Sequence, residues 1–130
     1  MNLVDQYLKD QVDQFLKLFA DLAHQAGIDE VCAVEFTKEM DKTHRRNCRR
    51  YAEVDPESLH FYFAPQIIGL SHAHQAGLIM HELGHVLCKD MAGGGTEDDA
   101  DRAAEETFGV KIRYDRRWPG KGLQYVNYSR

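Results

Sequence analysis

SHAHQAGLIMHELGHVLCKDMAGGGTEDDAD, Ser71 to Asp101, is the stretch whose reading decides the fold. From Ser71 to about Lys89 its apolar residues recur with a helical period, and Ser71 stands where a hydroxyl caps a first turn. The glycine-rich run Ala92 to Gly95 interrupts that period. Thr96 then stands as the cap of a second helix, which the pattern carries to about Phe108. Two helices joined by so short a loop are expected to run back along one another.

Inside the first helix lies HELGH, His81 to His85. Side chains four apart share one helix face, so His81 and His85 can grip a single ion, and imidazole nitrogen is a good ligand for zinc. Glu82 is turned about 100° around the axis from His81 and so points beside such an ion, which suits a base acting on water there. A catalytic zinc needs three protein ligands and one open position. If the glycine-rich loop reverses the chain, Glu97 comes near His85 and supplies the third. Asp101, one turn further on, comes near His81, where a carboxylate can accept the ring N–H that the metal does not use and fix the tautomer.

Each of these residues has a plainer reading. A core helix can carry histidines, and Glu97, Asp98 and Asp99 occupy a first helical turn, where the macrodipole and capping favour negative charge without any metal. The plainer reading is the better one for the acids alone. The two motifs one short loop apart favour the metal.

Working outward, Val4, Leu8, Val12, Phe15, Phe19, Leu22 and Ala23 recur at helical spacing and predict one long amphipathic N-terminal helix, stopped by Gly27. VCAVEFT, the stretch around RRYAEV, and SLHFYFA read as strands, separated by KEMDK and by DPE. VKIRY and LQYVNY read as short extended pieces near the C-terminus. The expected class is α+β: a long N-terminal helix, a small, mostly antiparallel and meandering sheet, and the two helices of the motif region. At 130 residues, positions 1–130 are expected to form a single domain.

The net charge of −5 argues against nucleic acid or anionic lipid as a general partner, although HRRNCRR, His44 to Arg50, and RYDRRWPGK, Arg113 to Lys121, are basic islands. Cys32, Cys48 and Cys88 are odd in number and lack CxxC spacing, which predicts reduced, mostly buried thiols and no cysteine-cornered zinc. The opening residues carry Asp5, Asp10 and Asp13, unlike a secretion signal or a membrane span, so a soluble, cytoplasmic protein is expected. His74 precedes His81 by nearly two turns and Cys88 follows His85 by three residues. Both lean toward the metal-facing side, yet a helix-entry histidine and a small buried thiol are the plainer roles.

The pair His81-Glu82-x-x-His85 and Glu97-x-x-Ala100-Asp101 resembles the HExxH and ExxAD motifs of the gluzincin zinc metallopeptidases. With a long N-terminal helix and a small sheet before it, the chain is similar to the compact minigluzincins and more loosely to the ImmA/IrrE-type metallopeptidases. The resemblance spans roughly Leu59 to Tyr114. It implies a zincin-like fold in which His81, His85 and Glu97 bind one zinc ion, Glu82 is general base and acid, and Asp101 braces a zinc ligand. The implied activity is hydrolysis of peptide bonds in a protein or peptide substrate. Relatives of this type pair an extended substrate with a sheet edge above the metal, so Leu59 to Ala64 is expected to be that edge. The oxyanion-stabilising residue stays open among Tyr114, Tyr125, Tyr128, Arg113 and His74.

Two other classes of function remain. A domain of this size can keep zinc for stability alone and serve as a catalytically silent binding module. Arg45, Arg46, Arg49 and Arg50 can also contact phosphate, with or without proteolysis.

Overall fold

A computed structural model describes residues 3–37, 51–91, 95–114 and 124–127. The elements in chain order are α1 (Leu3–Gln25), β1 (Ala33–Phe36), β2 (Ala52–Asp55), β3 (His60–Phe63), a 3-10 turn (Pro65–Gly69), α2 (His72–Leu87), α3 (Glu97–Phe108), β4 (Lys111–Tyr114) and β5 (Gln124–Asn127). The class is α+β, as the sequence pattern predicts.

Helix α1 buries Phe15, Phe19, Leu22 and Ala23. Phe15 meets Phe63 edge-on with ring centroids 5.0 Å apart, and Phe19 meets Phe61 likewise at 4.8 Å, the arrangement that ring quadrupoles favour. The amphipathic stripe does not stay covered along its length, because Val4 and Leu8 are 66% and 50% exposed. The reason is length. At 1.5 Å per residue α1 extends about 35 Å, whereas a four-residue strand spans about 13 Å, so among the described residues the sheet lies beneath the C-terminal half of the helix only. Gly27, at φ 75°, ends α1 as expected: its N–H reaches the His24 carbonyl and that of Ile28 reaches Ala23, which satisfies the last carbonyls.

The sheet has the order β1-β3-β2, with β1 parallel and β2 antiparallel to β3. It is therefore mixed and is no meander. The strand expected at the edge, Leu59 to Ala64, contains β3 and lies in the centre. Burial explains the correction. Phe61 and Phe63 are both fully buried, and a strand this apolar on its inner face is better covered between two neighbours than at a rim. The turn from β2 to β3 is local: Asp55 Oδ1 accepts from the N–H groups of Glu57 and Ser58, and Leu59 takes a left-handed conformation at φ 56°.

Helix α2 packs against α1, β2, α3 and β5, and the whole run from Ala76 to Gly84 is buried. A helix covered on most sides is the centre of a small fold, and this one carries HELGH. Strands β4 and β5 form an antiparallel ribbon whose inner pair, Ile112 and Val126, is buried. Residues Gln124 to Asn127 are thus a packed strand. Of the cysteines, Cys88 is buried and Cys32 is exposed, both as free thiols, so the expectation of buried thiols holds for Cys88 only. Cys48 lies outside the described residues. Among the described residues no helix is long and apolar enough to cross a membrane.

Candidate metal centre

Two caps place the helices of the site. Ser71 Oγ accepts from the backbone N–H of His74 at the start of α2. At the start of α3, Thr96 Oγ1 accepts from Asp99 N, and Asp99 Oδ2 accepts from Thr96 N at 2.9 Å. The backbone N–H of Thr96 is the main reason the Asp99 carboxyl is held below its usual range. The plainer reading of the first-turn acids therefore applies to Asp99, which caps the helix. Glu97, two residues earlier, turns toward α2 instead.

Glycine allows α3 to come close enough. A Cβ on Gly84 would collide with the backbone of Ala100, whose carbonyl carbon would lie only 2.8 Å away. Gly95 has a left-handed backbone at φ 82°, and a Cβ there would strike the Cys88 sulfur at 2.5 Å. The chain thus passes tightly over the end of α2 and lays Ala100 on Gly84.

With the helices so placed, three Lewis-basic atoms converge. Glu97 Oε2 stands 2.6 Å from His81 Nε2 and 3.3 Å from His85 Nε2, and the two histidine nitrogens are 3.1 Å apart. Donors of a four-coordinate ion with bonds of about 2.0–2.1 Å stand roughly 3.3–3.4 Å from one another, so the two distances at His85 nearly suit an ion already, while the Glu97–His81 contact would have to open by about 0.7 Å. The group His81, His85 and Glu97 can hold a metal ion. The sequence placed Glu97 beside His85, whereas its carboxylate reaches between both histidines and lies closer to His81.

Asp101 stands where the pattern puts it, with Oδ1 2.7 Å from His81 Nδ1. That contact fixes the imidazole with Nε2 toward Glu97. Burial works against a charged His81, yet the hydrogen bonds to Asp101 and Glu97, helped by the charge of Glu82, hold its pKa up at about 10. Hydrogen bonds to His81 and His85 hold the Glu97 carboxyl well below the usual carboxylate range. Both shifts mean that the cluster attracts positive charge. It also grades from inside to outside: the side chains of His81, His85 and Glu97 are 5%, 18% and 70% exposed. Solvent reaches the cluster from the Glu97 side. Glu82 is buried on α2 next to His81 in sequence.

The remaining candidates separate. His74 Nδ1 lies 2.5 Å from Ser71 Oγ at the entry of α2. Cys88 is buried and outside the donor group, and burial pushes its thiol up. Tyr114 directs its hydroxyl to Asp101 Oδ2 at 2.7 Å. Arg113 is exposed on β4, pairing through its backbone with Tyr125 of β5. Tyr128 and the island His44 to Arg50 lie outside the described residues. Sequence reasoning missed Gly84 and Ala100 as the contact that sets the helix spacing, although a glycine in mid-helix facing a small residue on the next helix is a readable signal of close approach.

No family model, curated protein or solved structure matches the chain.

Proposed function

We propose that the protein is a zinc metallopeptidase of the gluzincin type, hydrolysing peptide bonds in a protein or peptide substrate. The observation that carries the reading is the convergence of His81 Nε2, His85 Nε2 and Glu97 Oε2 on one point, with Asp101 bracing His81 from behind. Two imidazoles and one carboxylate form a donor set suited to zinc, and no fourth protein donor belongs to the group among the described residues. An open fourth position is what distinguishes a catalytic zinc from a structural one.

Zinc held there would lower the pKa of a water toward neutrality and polarise a peptide carbonyl. The chain's own residues do the rest. With the ion bound, His81 and His85 would ligate through deprotonated Nε2 atoms, Glu97 would supply one negative charge, and Asp101 would keep His81 in the tautomer that turns Nε2 toward the ion. Glu82 accepts the proton of the attacking water and returns it to the departing amine, which needs no serine or cysteine nucleophile. An extended substrate would lie along β2, which packs on α2 and, among the described residues, is paired on one side only.

The test is metal analysis of the purified chain together with cleavage of a peptide library. Cleavage that a chelator removes and added zinc restores is the expected result. Stoichiometric zinc with no cleavage of any peptide would leave a zinc-stabilised binding module in place of the enzyme.

A further inference from the structure

We propose that Tyr114 is a positioning residue of this centre, whose phenol hydroxyl holds the second oxygen of Asp101 and so locks the His81 imidazole in its ligand orientation. The inference rests on reading His81, His85 and Glu97 as metal ligands. Asp101 stands between two partners: His81 Nδ1 is 2.7 Å from Oδ1, and Tyr114 donates to Oδ2 at 2.7 Å. A carboxylate engaged through one oxygen can still swing about its last torsion, which is broad and roughly two-fold. Engaged through both, it cannot turn without losing a hydrogen bond. The Asp101 side chain is only 14% exposed, so water is a poor substitute for the phenol.

The chain delivers Tyr114 to this place by a specific route. Gly109, left-handed at φ 67°, ends α3 and turns the chain. Glu105, on α3, then accepts from the backbone N–H of Ile112 at 2.9 Å and has Lys111 Nζ at 3.6 Å, which ties β4 to the helix it has just left. Ile112 is buried against Val126 of β5, and Tyr114, two residues on, shares its strand face. The ring stays outside the buried core, with 47% of the residue exposed. The hydroxyl, set on a carboxylate that itself sets a ligand, is what this position supplies.

The experiment uses the full chain and cobalt(II) in place of zinc, because cobalt reports its ligand field in visible absorption. Parent, Tyr114→Phe, Asp101→Asn and the double variant are titrated with cobalt and zinc against a chromophoric chelator. Tyr114→Phe is expected to weaken metal affinity roughly three- to tenfold, less than the 10- to 100-fold typical for a group that contacts the ligand itself, and to shift the cobalt bands. In the Asp101→Asn background the same change should add nothing, since Tyr114 acts through Asp101. Unchanged affinity and spectrum in Tyr114→Phe would overturn the inference, as would additive losses in the double variant. A fall in the metal-free thermal midpoint that accounts for the weaker binding would assign Tyr114 to folding and also overturn it. A parent protein that takes up neither metal would instead overturn the metal reading itself.

Discussion

The Nε2 atoms of His81 and His85 stand 3.1 Å apart with their rings crossed at 88°, one turn of α2 separating them. With Nδ1 of His81 engaged by Asp101, its Nε2 faces both His85 Nε2 and Glu97 Oε2, a crowding that a shared proton or a cation among the three atoms satisfies. Removing the carboxylate should therefore remove the ion. Glu97→Ala and His85→Ala are each expected to abolish stoichiometric zinc in the purified protein, measured by elemental analysis. Full zinc content in either variant would place the metal elsewhere.

Asp101→Asn keeps the shape of the side chain that touches His81 but gives a poorer acceptor for the ring N–H. Zinc affinity is expected to fall roughly 10- to 100-fold with the fold retained. Chelator competition alongside far-UV circular dichroism measures both. Parent-like affinity would make Asp101 a bystander.

Glu82→Gln leaves all three donors in place. Zinc content and thermal midpoint should match the parent, while the proposed peptide hydrolysis should fall by about 10²- to 10⁴-fold, the usual contribution of general acid–base catalysis. Equal cleavage by a zinc-replete variant would remove Glu82 from the mechanism.

Gly84→Ala sets two effects against each other. Alanine in a helix interior is favoured over glycine by about 1 kcal/mol, yet the new Cβ would meet the Ala100 backbone, which cannot swing aside as a side chain can. Overpacking of this kind costs about 1–3 kcal/mol, so the collision is expected to win. Denaturant unfolding should show a less stable protein, and displacement of α3 should weaken metal binding with it. A more stable, zinc-replete variant would show that α3 has room to move.

The raised pKa of His81 predicts a pH signature. In metal-free protein the stability due to its protonation is fully present below the unfolded value of 6.5 and is lost as pH rises through about 10. Metal binding needs the ring deprotonated at Nε2, so affinity rises over the same interval. The gap in thermal midpoint between zinc-loaded and metal-free protein should widen from about pH 6.5 to about pH 8.5. A constant gap would mean that His81 does not exchange a proton for the ion.

What was legible in the sequence was local. Ser71 and Thr96 cap α2 and α3 where their side chains suggest, because a cap involves neighbours within four residues. His81, His85, Glu97 and Asp101 come together because helical period and one short loop determine which faces meet. The order of the strands was not legible, since whether β3 lies at the rim or in the centre depends on partners far away in the chain. Local pattern also could not show that α1 outruns its sheet, leaving Val4 and Leu8 in solvent although they continue the stripe of Phe15 and Phe19. The hydroxyl of Tyr114 fell between these cases. Its nearness to the motif was readable, but the Gly109 turn that delivers it to Asp101 is tertiary detail.

Glu97 sits within the same helical turn as the reciprocal bonds between Thr96 and Asp99. First turns commonly fray, and a donor placed there would ordinarily be the least settled member of its set. Here the backbone on either side of Glu97 is pinned, and the Ala100 carbonyl rests on Gly84 less than one turn later. Little conformational entropy is left for that segment to lose when an ion arrives. The backbone is then a finished socket, and uptake should need only the release of the His81 proton and an opening between the Glu97 and His81 side chains.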